Sequence, residues 1–291
     1  MARLLIVLCQ ALPIRYAVRL GAFIGTLFYF LDRRHRSIAM NNLVWALGSN
    51  RKETKRIARA SYQNLGKTVT EFVCASKIPC RAIQQSVTIE GWGHLHAAQQ
   101  QKRGVIVLTA HFGNWEWLAQ RIALQGSPFY VVARPLDNPY LNQRVNEWRG
   151  QHGNQVLNKR VAASQILHLL REGKTIGFLL DQNTAEQDAV FVDYFGHPAA
   201  TNKGLAVIAL RTQALVLPTF ILREKGQEGR HRIVIEEPLA LIRSGKLQAD
   251  VVANTALFTQ KIESYVRQYP DHWLWVHRRW KTQKSNSGAF G

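Results

Sequence analysis

Three cysteines, Cys9, Cys74 and Cys80, are all that the 291 residues contain. They form no Cys-x-x-Cys pair and no metal-ligand cluster, which excludes a disulfide-stapled fold and suits a reducing compartment. Acid is also scarce: 19 Asp and Glu stand against 38 Lys and Arg, a formal charge of +19. That balance calls for anionic partners, with nucleic acid, acidic lipid and an acidic carrier protein all admissible. A clean apolar run of about twenty residues, the length a deep transmembrane helix needs, is missing as well. Residues 4–31 are mostly apolar, but Pro13, Arg15 and Arg19 interrupt them. No Gly-x-Ser-x-Gly elbow occurs, so a covalent serine intermediate is not expected. Residues 91–96 begin like a dinucleotide loop but lack its third glycine, and His168 stands where a Gly173-Lys174-Thr175 nucleotide loop needs its first. The acids of residues 183–200 lack calcium or zinc ligand spacing, so neither a metal nor a cofactor is expected.

What is present begins with a hydrophobic content of 46%, ample for the core of one large or two modest domains. Its most informative stretch is residues 104–118, where the apolar run Val105, Ile106, Val107, Leu108 ends in His111 and Glu116. The run is apolar on both faces, as a buried parallel strand is, and Gly113-Asn114 supplies turn and N-cap chemistry for a helix from Trp115. Five residues on an ideal helix turn through about 500°, so His111 and Glu116 cannot pair as helix neighbours. With His111 in the turn and Glu116 in the first helical turn, the carboxylate can fold back to orient the imidazole as a base. Taken alone, such a pair is more often a capping Glu beside a satisfied histidine.

Further along, residues 129–133 and 175–180 read as short buried strands, ending in Arg134-Pro135 and Asp181-Gln182-Asn183. Residues 214–222 and 231–235 read as further strands, and 138–150, 161–171, 201–211 and 246–269 as helices. Residues 183–200 read as a long polar and aromatic loop, of the length that tends to be functional. Arg149 falls where its helix gives out before Gly150, placed either to reach a site or to cap the helix end. Alternating strands and helices make an α/β domain with a largely parallel central sheet, and such sheets gather ligands outside the strands' carboxyl ends. If the three strands are neighbours, His111, Arg134 and Asp181 converge on one crevice.

The N-terminal segment reads as a tilted or interfacial membrane helix, with Asp32-Arg33-Arg34-His35-Arg36 as a basic collar. A core helix and a signal peptide are its rivals, the latter disfavoured because no small-x-small cleavage site precedes the collar. Residues 37–78 are helical, with Arg51, Lys52, Lys55, Arg56 and Arg59 at the start of a second helix. Near the C-terminus, Trp273, Trp275, Arg278, Arg279 and Trp280 suit a membrane interface, a nucleobase stack or cation–π packing on the domain.

The block His111-Phe112-Gly113-Asn114-Trp115-Glu116 resembles the signature of the lipid A late acyltransferases, the lauroyl and myristoyl transferases of Gram-negative bacteria. The Arg134-Pro135-Leu136-Asp137-Asn138-Pro139 segment, Leu180-Asp181-Gln182-Asn183, the Pro218 strand and residues 269–281 resemble that family's blocks in the same order. The likeness covers roughly residues 20–281, and the combination is far more specific than any one block. It implies an α/β acyltransferase of the glycerolipid acyltransferase-like build, on the cytoplasmic face of the bacterial inner membrane. Residues 1–31 would form the membrane-associated helix, 32–281 the acyltransferase domain and 282–291 a disordered tail. The implied reaction moves a fatty acyl chain from acyl carrier protein to a hydroxyl of an anionic lipid A precursor, with no role for nucleic acid. By motif, His111 is the general base and Glu116 its orienter, while Asn114, Arg134, Arg149, Asp181 and Gln182 line the site. An enzyme of the same build acting on a lysophospholipid or another glycolipid is the alternative. The wider glycerolipid acyltransferases carry His-x4-Asp and a Phe-Pro-Glu-Gly block; Glu116 and Leu-Leu-Asp-Gln stand here instead, which favours a glycolipid acceptor.

Overall fold

The computed structural model describes residues 2–158 and 162–284. Four helices come first: α1 (Ala2–Ala11), α2 (Ile14–Leu31), α3 (Arg33–Leu47) and α4 (Arg51–Cys74). The α/β portion continues with α5 (Cys80–Ser86), β1 (Val87–Glu90), α6 (Trp92–Gln100), β2 (Val105–Thr109), α7 (Trp115–Leu124), β3 (Tyr130–Ala133), α8 (Pro139–Gly150) and β4 (Gln155–Asn158). It ends with α9 (Ala162–Arg171), β5 (Thr175–Leu179), β6 (Ala189–Tyr194), β7 (His197–Asn202), α10 (Gly204–Thr212), β8 (Leu215–Arg223), β9 (His231–Ile235) and α11 (Leu247–Gln268).

Seven strands form one sheet in the order β1-β9-β8-β2-β5-β3-β4, and β6 pairs with β7 in a separate hairpin. All pairings in the large sheet are parallel except β8 with β9. Strand β2 lies at the centre, and its side chains alternate as a strand's must: Val105 and Val107 join the core on one face, Ile106 and Leu108 the core on the other. Both faces are therefore covered, the condition under which a parallel sheet is stable. The chain leaves β2 for β3 and β4, returns to place β5 between β3 and β2, then crosses to β8 on the other side. Strands β2, β5 and β3 are thus consecutive, and the carboxyl ends carrying His111, Asp181 and Arg134 lie side by side.

Several expectations change. Residues 189–202 are a hairpin with full antiparallel register, not a loop, and Thr201 sits buried in β7. The helix expected from residue 201 begins at Gly204, whose N–H is held by the Asn202 side chain. Of the helix expected over residues 161–171, residue 161 lies outside the described residues. The C-terminal segment is core: Trp273, Trp275 and Arg279 are fully buried, and the Arg279 guanidinium lies 5.0 Å from the Tyr194 ring centroid. Of the three settings for this Trp/Arg run, cation–π packing on the domain is the one found. Thr282 is bonded to Asn183 and Thr184, while residues 285–291 of the expected tail lie outside the described residues.

Helix α2 is seated along α4 by close backbone approach. A Cβ on Gly25 would overlap the Tyr62 carbonyl oxygen, and one on Gly66 the Gly21 carbonyl oxygen, so only glycine lets the helices meet this closely. Within the basic collar, Arg36 donates to the carbonyls of Tyr29 and Phe30 at the end of α2, and Asp32 caps α3 through the His35 N–H. Arg19 pairs with Glu228 of the β8–β9 turn at 3.0 Å. The outward face of α2 leaves Phe23, Leu27, Phe30 and Leu31 exposed. Its 18 residues, mean hydropathy 1.3, are long and apolar enough to cross a membrane by composition, with 28% of them buried in the protein.

Candidate active site

The turn after β2 is shaped by Gly113 and Asn114. Gly113 has φ +58, and a Cβ there would overlap the Ile221 carbonyl oxygen, so both its backbone geometry and its neighbour demand glycine. Asn114 caps α7 by accepting from the Trp117 N–H at 3.0 Å. His111 is left at the carboxyl end of β2, partly exposed beside the Trp115 ring, whose centroid lies 5.3 Å away.

The partner that orients His111 is Asp181, not Glu116. The imidazole Nδ1 lies 2.9 Å from Asp181 Oδ1, and the His111 backbone N–H donates to Oδ2 at 3.1 Å. Trp273 Nε1–H donates to that same oxygen at 2.8 Å. Burial pushes the Asp181 carboxyl up, but the His111 charge and these three hydrogen bonds outweigh it, so its pKa falls below the usual aspartate value. An ionised carboxylate only accepts, so the shared proton sits on Nδ1, and Nε2 is the ring nitrogen turned away from Asp181. Gln182 Nε2 lies 3.5 Å from that nitrogen, on the open side.

Glu116 faces the other way. The Arg149 guanidinium grips it with two bonds, Nε to Oε2 at 3.0 Å and Nη2 to Oε1 at 2.5 Å. Burial lowers the pKa of Arg149, but the Glu116 charge and hydrogen bonds reverse this and raise it above normal, so the guanidinium stays charged. Arg149 thus extends from the end of α8 to Glu116 of α7 rather than only capping its own helix. Together Glu116 and Arg149 form one polar part of the wall of a largely apolar groove of ≈730 Å³ between α2, α4, α7 and α8, with Asp32 and His35 also in its lining. Phe28, Val69, Trp115, Leu141 and Val145 supply much of its remaining lining.

The other expected site residues divide. Asn114 is fully buried, its amide nitrogen spent on Glu71 at 2.7 Å and its oxygen on Trp117, so it supports the turn from behind and meets no substrate. Arg134 is largely exposed at the end of β3, paired with Asp137 at 3.2 Å. It lies two strands from β2. Among the described residues, no group of three His, Cys, Asp or Glu side chains is arranged to hold a metal ion.

Sequence reasoning missed a buried network beneath the turn. Glu71 of α4, fully enclosed, takes two bonds from Arg223 of β8 at 2.6 and 2.7 Å, alongside the Asn114 amide. Burial would raise its pKa, yet Arg223 first and His231 next hold it far below the usual glutamate range. Arg223 also donates to Thr68, which donates to the Gly113 carbonyl, and to Asn64, whose amide donates to the His272 carbonyl. A signal did exist: Asn64, Thr68 and Glu71 fall at spacings of four and three, so they share one face of α4.

The chain is 26% identical to the lipid A biosynthesis lauroyltransferase of Escherichia coli K12 over 94% of its length and 87% of the relative's. The lipid A biosynthesis palmitoleoyltransferase of the same organism matches at 26% identity over the same shares. A phosphatidylinositol mannoside acyltransferase of Mycobacterium tuberculosis (CDC 1551/Oshkosh) is 27% identical over 71% of this chain and 64% of its own. A family model covers residues 2–282, nearly everything from the first helix to the end of the C-terminal segment. On that coverage, this chain belongs to the bacterial lipid A biosynthesis acyltransferase family.

Proposed function

We propose that the protein transfers a fatty acyl chain from an acyl carrier protein thioester to a hydroxyl of a lipid A precursor, at the cytoplasmic face of a bacterial inner membrane. The observation that carries the reading is His111, held through Nδ1 by a buried carboxylate and packed against Trp115, a residue that lines an apolar groove of ≈730 Å³. His111 Nε2 takes the proton of the acceptor hydroxyl as its oxygen attacks the thioester carbonyl. Asp181 stabilises the imidazolium that forms. The amino end of α7, whose first N–H groups follow the turn, stabilises the oxyanion, a contribution commonly worth about 3 kcal/mol. When the tetrahedral species collapses, the C–S bond breaks and the imidazolium returns its proton to the departing thiolate. No metal and no covalent enzyme intermediate enter this scheme.

Glu116 and Arg149 take a binding role in this reading. A paired charge set in an apolar wall suits the point where a lipid's polar linkage passes into its chain, and Gln182 meets the acceptor beside Nε2. Arg134 and the exposed basic residues meet the anionic groups of acceptor and carrier.

The test is mass spectrometry of products from purified enzyme given several acyl carrier protein thioesters and several acceptors, including lipid A precursors, lysophospholipids and mannosylated phosphoinositides. An acylated lipid A precursor, lost by at least about 10²-fold in folded His111→Ala, is expected. Preferred acylation of another acceptor would replace the substrate, and undiminished turnover in His111→Ala would remove the base.

A further inference from the structure

The C-terminal segment touches the catalytic turn along its backbone before any side chain is considered. Phe112 and Trp273 form an antiparallel bridge, the Gly113 N–H donates to the His272 carbonyl at 2.9 Å, and the Leu274 N–H donates to the His111 carbonyl at 3.2 Å. The segment is itself fastened from three sides. Asn42 of α3 donates to the carbonyls of Trp275 and His277, Arg223 of β8 donates its backbone N–H to His272, and Asn183 donates its own to His277. Trp273 is therefore fixed by main chain on one side, and by rings on the other. Trp275 lies 4.6 Å from it edge-on, and Tyr194 lies 5.6 Å from it. Its indole is buried among these contacts, and its one N–H points at Asp181 Oδ2.

We propose that Trp273 is a positioning residue of the acyl transfer, fixing the Asp181 carboxylate so that Oδ1 keeps the proton of His111 on Nδ1. The proposal rests on the reading of His111 as the base. Asp181 has two oxygens and a single rotatable plane to satisfy. Oδ1 serves the imidazole, while Oδ2 is held by the His111 amide and by Trp273, groups that belong to two different segments of the chain. Removing the indole donor leaves Oδ2 with the amide alone, lets the carboxylate twist, and leaves more charge on the group that faces the imidazolium. The second effect has a definite sign. A less-solvated carboxylate binds the imidazolium more tightly, so the acid limb of the rate profile moves to higher pH. The other ionisable groups that act on this pair are His277, Arg279 and Tyr194, all supplied by the C-terminal segment and the β6–β7 hairpin. The test variant leaves all three in place.

The experiment uses the full chain in detergent, with acyl carrier protein thioester and a lipid A precursor. Two variants are compared: Trp273→Phe, and the chain with 3-benzothienylalanine incorporated at 273, which keeps the bicyclic shape and replaces the N–H by sulfur. The expected result in both is a kcat lower by about 10- to 100-fold, the value of one hydrogen bond to a charged group. KM for the thioester should stay within about twofold, since no substrate contact is lost, and the acid limb of kcat/KM should move upward. The benzothienyl variant separates the donor from the ring, because it leaves no cavity. Wild-type kcat and an unmoved acid limb in that variant, with His111→Ala inactive, would overturn the role of Trp273 and leave the base intact. Full activity in His111→Ala would overturn both.

Discussion

At the scale of single residues, the consequential fact is that two carboxylates near one histidine have different partners. Asp181 is nearly enclosed and shares its charge with His111, whereas Glu116 is clamped by Arg149 on the groove wall. Asp181→Asn should therefore cost more than loss of a charge. The amide can turn its NH₂ toward Nδ1, leaving Nδ1 as acceptor and forcing the proton onto Nε2, the nitrogen that must be free. We expect kcat at saturating thioester to fall by about 10²- to 10⁴-fold with the fold intact. Near wild-type turnover would dismiss Asp181 as orienter. The same residue predicts a pH dependence of stability. Its native pKa lies below the unfolded value of about 3.9, so the stabilisation it brings is complete above that pH and is lost as pH falls through the native value. Denaturant titrations between pH 5 and 2 should show Asp181→Asn losing less stability across that window than the wild type. A parallel loss in both would show that another group governs it. The strand end carrying Asp181 was legible in sequence because an apolar run stops there at a carboxylate. Its pairing with His111, 70 positions away, was not, because strand order is a property of the sheet and neither residue's neighbours encode it.

At the scale of elements, the same distinction separates what could be read from what could not. Strands β2, β3, β5 and β8 announced themselves as apolar runs, and α8 was legible as a helix over residues 138–150, where Asn138 is the cap found, its side chain accepting from Leu141 N–H. Strands β1 and β4 were missed, being four residues each at the two edges of the sheet. The β6–β7 hairpin was missed because Ala199, Ala200 and Pro198 dilute its alternation. The Arg279 run was ambiguous because Trp and Arg suit a surface and a buried cation–π contact equally. Helix α2 was legible as apolar, but its seat on α4 depends on Gly21 and Gly25 meeting Gly66, 45 and 41 positions away in sequence. That contact yields the prediction at this scale. Gly66→Ala places a methyl where the Gly21 carbonyl oxygen lies, and backbone cannot swing aside as a long side chain can. The helices must separate, at a cost of about 1–3 kcal/mol for an overpacked contact. Because Gly21, Gly25 and Gly66 also line the groove, the separation should widen it. We expect a lower unfolding midpoint together with an altered preference among thioesters of different chain length. Unchanged stability would mean that the helices do not meet so closely.

For the whole molecule, a formal charge of +19 and an exposed apolar helix are the two means by which the chain would meet a bilayer. Phe23, Leu27, Phe30 and Leu31 of α2 and Val44 and Trp45 of α3 are exposed, and Arg33 and Arg34 stand exposed at the junction of the two helices. Burying a large apolar side chain in the acyl boundary gains about 1.5–3 kcal/mol, and each basic residue near an anionic surface about 1 kcal/mol. Apolar contact should then dominate, with charge selecting the lipid. Salt tests the division, since the Debye length falls from about 10 Å at 0.1 M to about 3 Å at 1 M and screens the second contribution while leaving the first. We predict stronger co-sedimentation with phosphatidylglycerol than with phosphatidylcholine vesicles at low salt, and convergence of the two at high salt on a substantial residual binding. The double variant Phe23→Glu/Leu27→Glu, at positions outside the groove lining, should lose that residual binding by about 100-fold or more while turning over detergent-dispersed substrate as the wild type does. Complete release of the wild type by salt would make the attachment purely electrostatic. Retention of the double variant on vesicles would move the apolar attachment away from this face of α2.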